Sequence, residues 1–248
     1  MTPMRIYVGW DSREDIAYQV CKASIEAHAS VPVQVLPIKQ SVMRQRGLYW
    51  RAPDALSSTE FSITRFLTPH LAGYQGWAVF VDCDFLFRHD IAALLEYRDP
   101  AKALYCVQHD YRPTETLKMD GAVQTLYPRK NWSSFMYMNC AHEQFRALTP
   151  DVVNSQTALH LHRFNWLSDE VIGALPVAWN YLEGWYRPAD CSDPIAVHYT
   201  RGGPWFEQWQ HVEYAREWSA AAGDAGGSPW SPPSNRADIR SAYSASIS

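Results

Sequence analysis

Two aspartates, Asp82 and Asp84, stand one residue apart at the end of the apolar run 77–81, and residues 85–87 are again apolar. A short unbroken apolar run is typical of a strand covered on both faces. Residues i and i+2 of a strand point the same way, so both carboxylates converge at its carboxyl end. At a separation of about 5 Å they repel by roughly 3 kcal/mol for an effective dielectric of about 20. A divalent cation bound by oxygen ligands would offset that repulsion. An ordinary turn cap or a solvated pair is the alternative, and the spacing alone does not decide between them.

Two further candidates follow other predicted strands. His198 lies in the late strand 195–199, just before a turn rich in glycine, and is either a metal ligand or a buried core histidine. Asp11 follows the first strand, 5–9, where a helix begins. In a nucleotide-binding α/β fold this turn holds a base or a ribose, although Asp11 as a simple turn residue fits equally well.

Helical segments supply the remaining candidates. Arg65 lies in the predicted helix 61–67, directly ahead of the central strand, and either serves the site or only solubilises the surface. Residues 168–170 are expected to open a helix that includes Val171 and Ile172, and acids in a first turn suit the helix dipole. Residues 152–164 are predicted to form another helix. Its histidines at 160 and 162 point to different helix faces, which argues against a metal pair.

The composition describes an ordinary globular protein. The chain has 248 residues, of which 47% are hydrophobic and 19% charged, and its net charge of −4 gives no basic footprint for nucleic acid. Five scattered cysteines without Cys-x-x-Cys spacing indicate reduced thiols and a cytoplasmic protein. The first residues lack the layout of a signal peptide. Eleven tryptophans and fourteen tyrosines are available either for the core or for stacking on sugar rings, with Trp185, Tyr186 and Trp205 as candidate acceptor platforms.

The alternation of strands and helices predicts an α/β fold with a mixed, mostly parallel, Rossmann-like sheet flanked by helices. Residues 209–218 are expected to form a closing helix. We expect one domain over residues 1–218, followed by a tail rich in Ser, Ala, Gly and Pro over residues 219–248.

The order of these features resembles the retaining sugar-nucleotide glycosyltransferases of family 8, which have the GT-A fold and an Asp-x-Asp motif. The resemblance covers roughly residues 4 to 210. Its motifs appear here as Tyr7–Asp11, Ser62–Leu67, Phe80–Asp84, Ser133–Asn139, Ser168–Ile172, Leu175–Tyr181 and His198–Trp205.

The resemblance implies a metal site and a donor site. Asp82, Asp84 and His198 would hold Mn²⁺ or Mg²⁺ against the diphosphate of a nucleotide sugar, with a UDP-sugar as the expected donor. Arg65 would reach the donor sugar or its phosphates, and Asp11 would contact the uracil or ribose.

Further donor contacts are implied for Cys83, which stands between the two aspartates, and for Arg201 and Gly202. Asp169 occupies the position of the family residue on the far face of the anomeric carbon, where it would either stabilise positive charge or attack. Reaction with retention of configuration is expected from the resemblance.

The sequence departs from the family in two places. The Asn-Ser/Ala-Gly that normally precedes the fifth strand is Trp132-Ser133-Ser134, so contacts with the donor sugar are expected to differ. The phosphate-binding lysine is replaced by Gly203, and Arg201 is near enough in sequence to substitute for it.

Two other functional classes remain. A haloacid-dehalogenase phosphatase also places Asp-x-Asp after an apolar strand, but normally at the start of its domain. A non-catalytic carbohydrate-binding protein would use the aromatic residues without needing the acidic pair and His198 together. For a transferase the expected acceptor is a glycan, a glycolipid or a small molecule. A lipid-linked acceptor would bring this cytoplasmic protein to the inner face of the membrane.

Overall fold

The computed structural model describes residues 2–52, 58–110 and 128–226, which form two sheets flanked by helices. The strands are β1 (Met4–Trp10), β2 (Val33–Lys39), β3 (Trp77–Val81), β4 (Phe85–Phe87), β5 (Leu104–Val107), β6 (Phe135–Asn139), β7 (Ile172–Leu175), β8 (Tyr181–Leu182) and β9 (Ala196–His198). The α-helices are α1 (Asp15–His28), α2 (Gln40–Gln45), α3 (Thr68–Leu71), α4 (Pro150–Ser155), α5 (Ala158–His162) and α6 (Ala215–Gly226). Short 3-10 helices occupy Thr64–Leu67, Ile91–Tyr97, Trp132–Ser134, Glu143–Ala147, Asp169–Val171, Val177–Trp179 and Glu207–Trp209.

The larger sheet has the strand order β2-β1-β3-β6-β5-β7. Strand β6 is antiparallel to its neighbours β3 and β5, while the other pairings are parallel. The predicted mixed, mostly parallel α/β sheet is confirmed. Strand β3 lies between β1 and β6, so its carboxyl end lies at the middle of the sheet edge. Residues 78–81 of β3 are each 0% exposed, so both faces of the strand are covered.

A smaller sheet of order β4-β9-β8 continues directly from that edge. Strand β4 begins immediately after the Asp-x-Asp and pairs antiparallel with β9, so that Phe85 lies opposite His198. Strand β8 pairs with the other side of β9, with Leu182 opposite His198. This pairing brings His198 beside the aspartates although the two segments are far apart in the sequence.

The aromatic residues supply much of the core. Trp179, Trp218, Tyr137, Tyr181 and Tyr199 are each less than 2% exposed. Helix α6 and the small sheet share a second apolar cluster with the buried face of α1. These rings stabilise the sheet edge that carries the aspartates.

Several local predictions were wrong in detail. Residues 169–171 form a single 3-10 turn that leads into strand β7 rather than opening a helix. The helix expected over residues 152–164 is divided into α4 and α5, because Thr149 and Thr157 each cap a separate helix. The segment before β3 is a 3-10 turn joined to the short α3 rather than a long helix.

The end of the described chain is helical. Helix α6 runs to Gly226 and so crosses residue 218, where composition predicted the domain boundary. Residues 227–248 of the predicted tail lie outside the described residues. None of the helices in the described ranges is long and apolar enough to cross a membrane.

Gly9 in β1 provides a test of the packing beneath the site. A Cβ at this position would overlap the ring of Phe61. Gly9→Ala is therefore expected to lower the free energy of unfolding by about 2 kcal/mol, as overpacking does. Urea unfolding measures this, and adding Phe61→Leu to the same chain should restore most of the loss. Wild-type stability in Gly9→Ala would show that this contact is wrongly placed.

Candidate active site

Asp82, Asp84 and His198 form a cluster at the carboxyl end of β3. Each offers one ligand atom, and these atoms all lie within 4.8 Å of one another. Nε2 of His198 is 3.3 Å from Oδ2 of Asp84. The register between β4 and β9 fixes this arrangement, and the backbone N–H of Tyr199 donates to the Asp84 carbonyl at 2.9 Å. The structure therefore brings together the three residues predicted as metal ligands.

Arg65 contacts the first aspartate of the motif. Its Nη1 is 2.7 Å from Oδ1 of Asp82, and the same nitrogen donates to the Ser133 carbonyl at 2.9 Å. The guanidinium contacts the rings of Phe61 and Phe80 from one side, at 5.3 and 5.1 Å from their centroids. Arg65 is thus fixed in the site next to Asp82, and its predicted contact with a donor sugar stays a prediction.

Burial disfavours the charge on Asp82. It raises the pKa of this carboxyl to about 6, against the lowering effect of Arg65, and the nearby charge of Asp84 raises it further. Arg65 therefore offsets only part of the cost of placing two carboxylates here. A second positive charge beside Asp84 and His198 would offset the rest of the repulsion between the two carboxylates.

The donor set fits a divalent cation. Two carboxylates and one imidazole nitrogen suit Mn²⁺ well and Mg²⁺ less closely, since Mg²⁺ prefers oxygen ligands. His198 is almost completely buried, at 2% exposure, and its ring stacks on Phe85 at 4.3 Å between centroids. Its Nε2 is thereby held toward Asp84 in a fixed orientation.

Asn180 contacts the other nitrogen of His198, a feature that the sequence did not reveal. Oδ1 of Asn180 is 2.9 Å from Nδ1 of His198, and its Nδ2 donates to Oγ of Ser134 at 2.9 Å. Asn180 is fully buried. Residues 175–181 had been identified only as a family motif, and nothing local distinguishes this amide from any other.

A cavity of about 110 Å³ adjoins the cluster, and its lining includes Asp84, Arg201, Gly202 and Glu14. Two residues predicted to bind the donor, Arg201 and Gly202, thus share a cavity with the second aspartate. Gly202 has φ of 118°, a conformation that favours glycine. The Arg201 guanidinium lies 5.1 Å from the Trp209 ring.

Glu14 is a further acid that the sequence analysis did not identify. It stands at the N-terminus of α1, with Oε2 3.8 Å from Sγ of Cys83. Burial raises the pKa of Glu14 to about 8, and the charges of Asp84 and Asp11 add to the effect. The only sequence signal was its place three residues after Asp11, which also fits a helix start.

Asp11 and Cys83 are both completely buried, at 0% exposure. The Asp11 carboxylate accepts hydrogen bonds from the backbone and side chain of Arg13 and from the backbone N–H of Glu60. Asp11 therefore holds the turn after β1 against residue 60. The Cys83 thiol packs inward, toward Glu14. Donor contacts of these two residues stay predictions.

Asp169 is not brought to the cluster. Its side chain is 81% exposed and pairs with Nη2 of Arg129 at 2.5 Å. It precedes β7, which runs parallel to β3, whereas Asp82 and Asp84 follow β3. Its role opposite the anomeric carbon stays a prediction.

The raised pKa of Glu14 predicts how stability changes with pH in metal-free protein. A carboxyl whose pKa rises from 4.5 to about 8 on folding stabilises the protein below pH 4.5, and this contribution is lost as the pH rises toward 8. Glu14→Gln should remove it, so wild type should lose about 2 kcal/mol more than the variant over that pH range, after allowance for partial exposure.

Urea unfolding at several pH values, in the presence of a chelator, measures this difference. Glu26→Gln, which changes an exposed carboxyl on the same helix, is the matched control and should follow wild type. Parallel curves for wild type and Glu14→Gln would contradict the prediction.

Comparison with solved structures identifies the fold. The bifunctional glycosyltransferase WbbM matches with a TM-score of 0.65 at 15% identity, over 97% of this chain and 51% of that one. GlyE of Streptococcus pneumoniae TIGR4 matches with a TM-score of 0.59 at 13% identity, over 100% and 64%. The galactosyltransferase LgtC, solved with donor and acceptor sugar analogues, matches with a TM-score of 0.54 at 11% identity, over 95% and 100%. The chain thus spans about half the length of WbbM. These likenesses establish the GT-A glycosyltransferase fold.

Sequence comparison gives a closer relationship. No protein-family model matches the chain. Protein CDI of Arabidopsis thaliana is 58% identical over 219 residues, which are 87% of this chain and 85% of that protein. At this identity and coverage, the chain belongs to the same family as Protein CDI.

Proposed function

We propose that the protein is a metal-dependent glycosyltransferase of the family 8 type. It transfers a hexose from a nucleoside-diphosphate sugar, with a UDP-sugar as the expected donor, to a glycan, a lipid-linked glycan or a small molecule. The convergence of Asp82, Asp84 and His198 beside the cavity lined by Arg201 carries this proposal. The GT-A fold supports the transferase over the phosphatase alternative.

The residues of the site are suited to the departure of a diphosphate. Cleavage of the sugar–phosphate bond leaves extra negative charge on the phosphate oxygens. Mn²⁺ or Mg²⁺, held by Asp82, Asp84 and His198, would supply positive charge to that leaving group. Arg201 lines the same cavity and adds a cation that needs no proton transfer. Arg65 favours the ionised form of Asp82 against the effect of burial and orients its carboxylate.

The anomeric carbon gains oxocarbenium character as the bond breaks. The family resemblance assigns Asp169 to stabilise it or to attack it. The exposed pairing of Asp169 with Arg129 leaves both roles open to test. We place the protein in the cytoplasm, with peripheral contact at the inner membrane face when the acceptor is lipid-linked.

Binding of UDP tests the metal site. Isothermal titration should show UDP binding that requires Mn²⁺, and Asp84→Asn and His198→Gln should each weaken it by about tenfold or more, because each loses a ligand. Asp151→Asn, which changes an exposed aspartate on α4, is the control and should bind as wild type. Equal UDP affinity with and without Mn²⁺ would remove the proposal.

The stereochemical outcome is tested without knowing the acceptor. A panel of UDP-hexoses is screened for slow donor hydrolysis, and proton NMR records the first sugar released. Retention predicts that the α anomer appears before mutarotation, because the donors are α-linked. Initial release of the β anomer would exclude a retaining transferase. Asp169→Asn should slow hydrolysis while leaving UDP binding intact if Asp169 acts on the anomeric carbon.

A further inference from the structure

We infer that Asn180 is a positioning residue that fixes the tautomer of His198. In this arrangement Nδ1 carries the hydrogen and Nε2 presents its lone pair to the position between the two aspartates. The inference rests on the proposed function only through the metal site, and no part of the sequence pattern had given Asn180 a role.

The orientation of the Asn180 amide follows from its neighbours. Oγ of Ser134 lies 2.7 Å from the carbonyl oxygen of Asn131, which can only accept, so the Ser134 hydroxyl donates to it. The Ser134 oxygen can then accept from Nδ2 of Asn180 at 2.9 Å. The same Nδ2 is 3.5 Å from the Asn131 carbonyl. A flipped amide would turn its oxygen toward these two acceptors, so the network assigns Oδ1 to the side of His198.

The tautomer of His198 follows from that orientation. Oδ1 of Asn180 only accepts, and it is 2.9 Å from Nδ1 of His198, so Nδ1 must donate. A neutral imidazole with a hydrogen on Nδ1 has a lone pair on Nε2. That lone pair faces the Asp84 carboxylate at 3.3 Å, where two acceptors repel unless a metal ion or a proton lies between them.

The surrounding structure holds the pair in place. His198 and Asn180 are buried at 2% and 0% exposure, so water is not an alternative partner for either. Asn180 directly precedes β8, and Leu182 in β8 lies opposite His198. The backbone N–H of Glu183 donates to the His198 carbonyl at 3.0 Å. The hydrogen bond from Nδ1 is therefore set by strand pairing as well as by the side chains.

Two substitutions separate the acceptor from the bulk of Asn180. Asn180→Leu keeps the number and branching of the side-chain heavy atoms but removes the acceptor, while Asn180→Asp keeps an acceptor for Nδ1. Isothermal titration with Mn²⁺ alone should show affinity weakened by roughly 10- to 100-fold in Asn180→Leu, the range seen when a partner of a metal-binding histidine is lost. Asn180→Asp keeps that acceptor and should bind Mn²⁺ more tightly than Asn180→Leu, while the loss of the hydrogen bond from Nδ2 to Ser134 lowers its stability.

Asn139→Leu is the matched control. Asn139 is another buried asparagine, at 9% exposure, but it pairs with Trp77 at the opposite end of β3. It should cost stability without changing Mn²⁺ affinity. Wild-type Mn²⁺ affinity in folded Asn180→Leu would overturn the inference and leave the metal site standing.

The tautomer can be read without metal or activity. Nitrogen-15 NMR of the imidazole groups in metal-free wild type, with His198→Gln for assignment, should show hydrogen on Nδ1 of His198 in its neutral form. Hydrogen on Nε2 would overturn the inference, and this measurement decides even if Asn180→Leu does not fold. If wild type bound no Mn²⁺ but showed the Nδ1 tautomer, the proposed function would fail and the role of Asn180 would stand.

Discussion

The need to balance two carboxylates at the buried end of one strand governs the arrangement around it. The spacing of Asp82 and Asp84 forces their charges together, and water does not screen them well at the edge of a covered sheet. Arg65 approaches Asp82 from a turn held by Phe61 and Phe80. His198 approaches Asp84 from the small sheet. The smaller sheet therefore affects the electrostatics of the site. Without the pairing of β4 with β9, Asp84 would lack the neighbouring imidazole of His198.

The local sequence pattern was sufficient to predict the position of Asp82 and Asp84, but it did not predict the residues that surround them. An apolar run followed by Asp-x-Asp predicts a buried strand. Because the side chains of a strand repeat every two residues, it also predicts that both carboxylates lie on one face, at the edge of the sheet where the strand ends. The family motif then supplied His198. The positions of Asn180 and Glu14 and the contact of Arg65 with Asp82 depend on the packing of segments that are separated in the sequence. A single sequence does not encode such contacts in any short spacing.

The segment before β7, which was wrongly predicted to open a helix, shows how tertiary packing competes with local helix propensity. Acids at 169 and 170 followed by Val171 and Ile172 have the pattern of a helix start. The chain instead becomes a strand because residues 172–175 pair in register with β5. At Gly173 there is no room for a Cβ beneath the ring of Tyr105. Tertiary pairing and close packing thus override local propensity.

Close packing at Gly203 leaves no room for the lysine that the family resemblance places at this position. A Cβ at residue 203 would overlap the ring of Trp205, which is 5% exposed and packs on Trp218 at 5.5 Å. A lysine there would have to displace a core aromatic residue. The guanidinium of Arg201 occupies the space that Gly184 leaves open by having no side chain. Gly184 also has φ of 70°, so backbone conformation and close approach both require glycine. The packing of Trp205 therefore excludes a side chain at residue 203. The absence of a side chain at Gly184 makes room for the guanidinium of Arg201, two residues before Gly203.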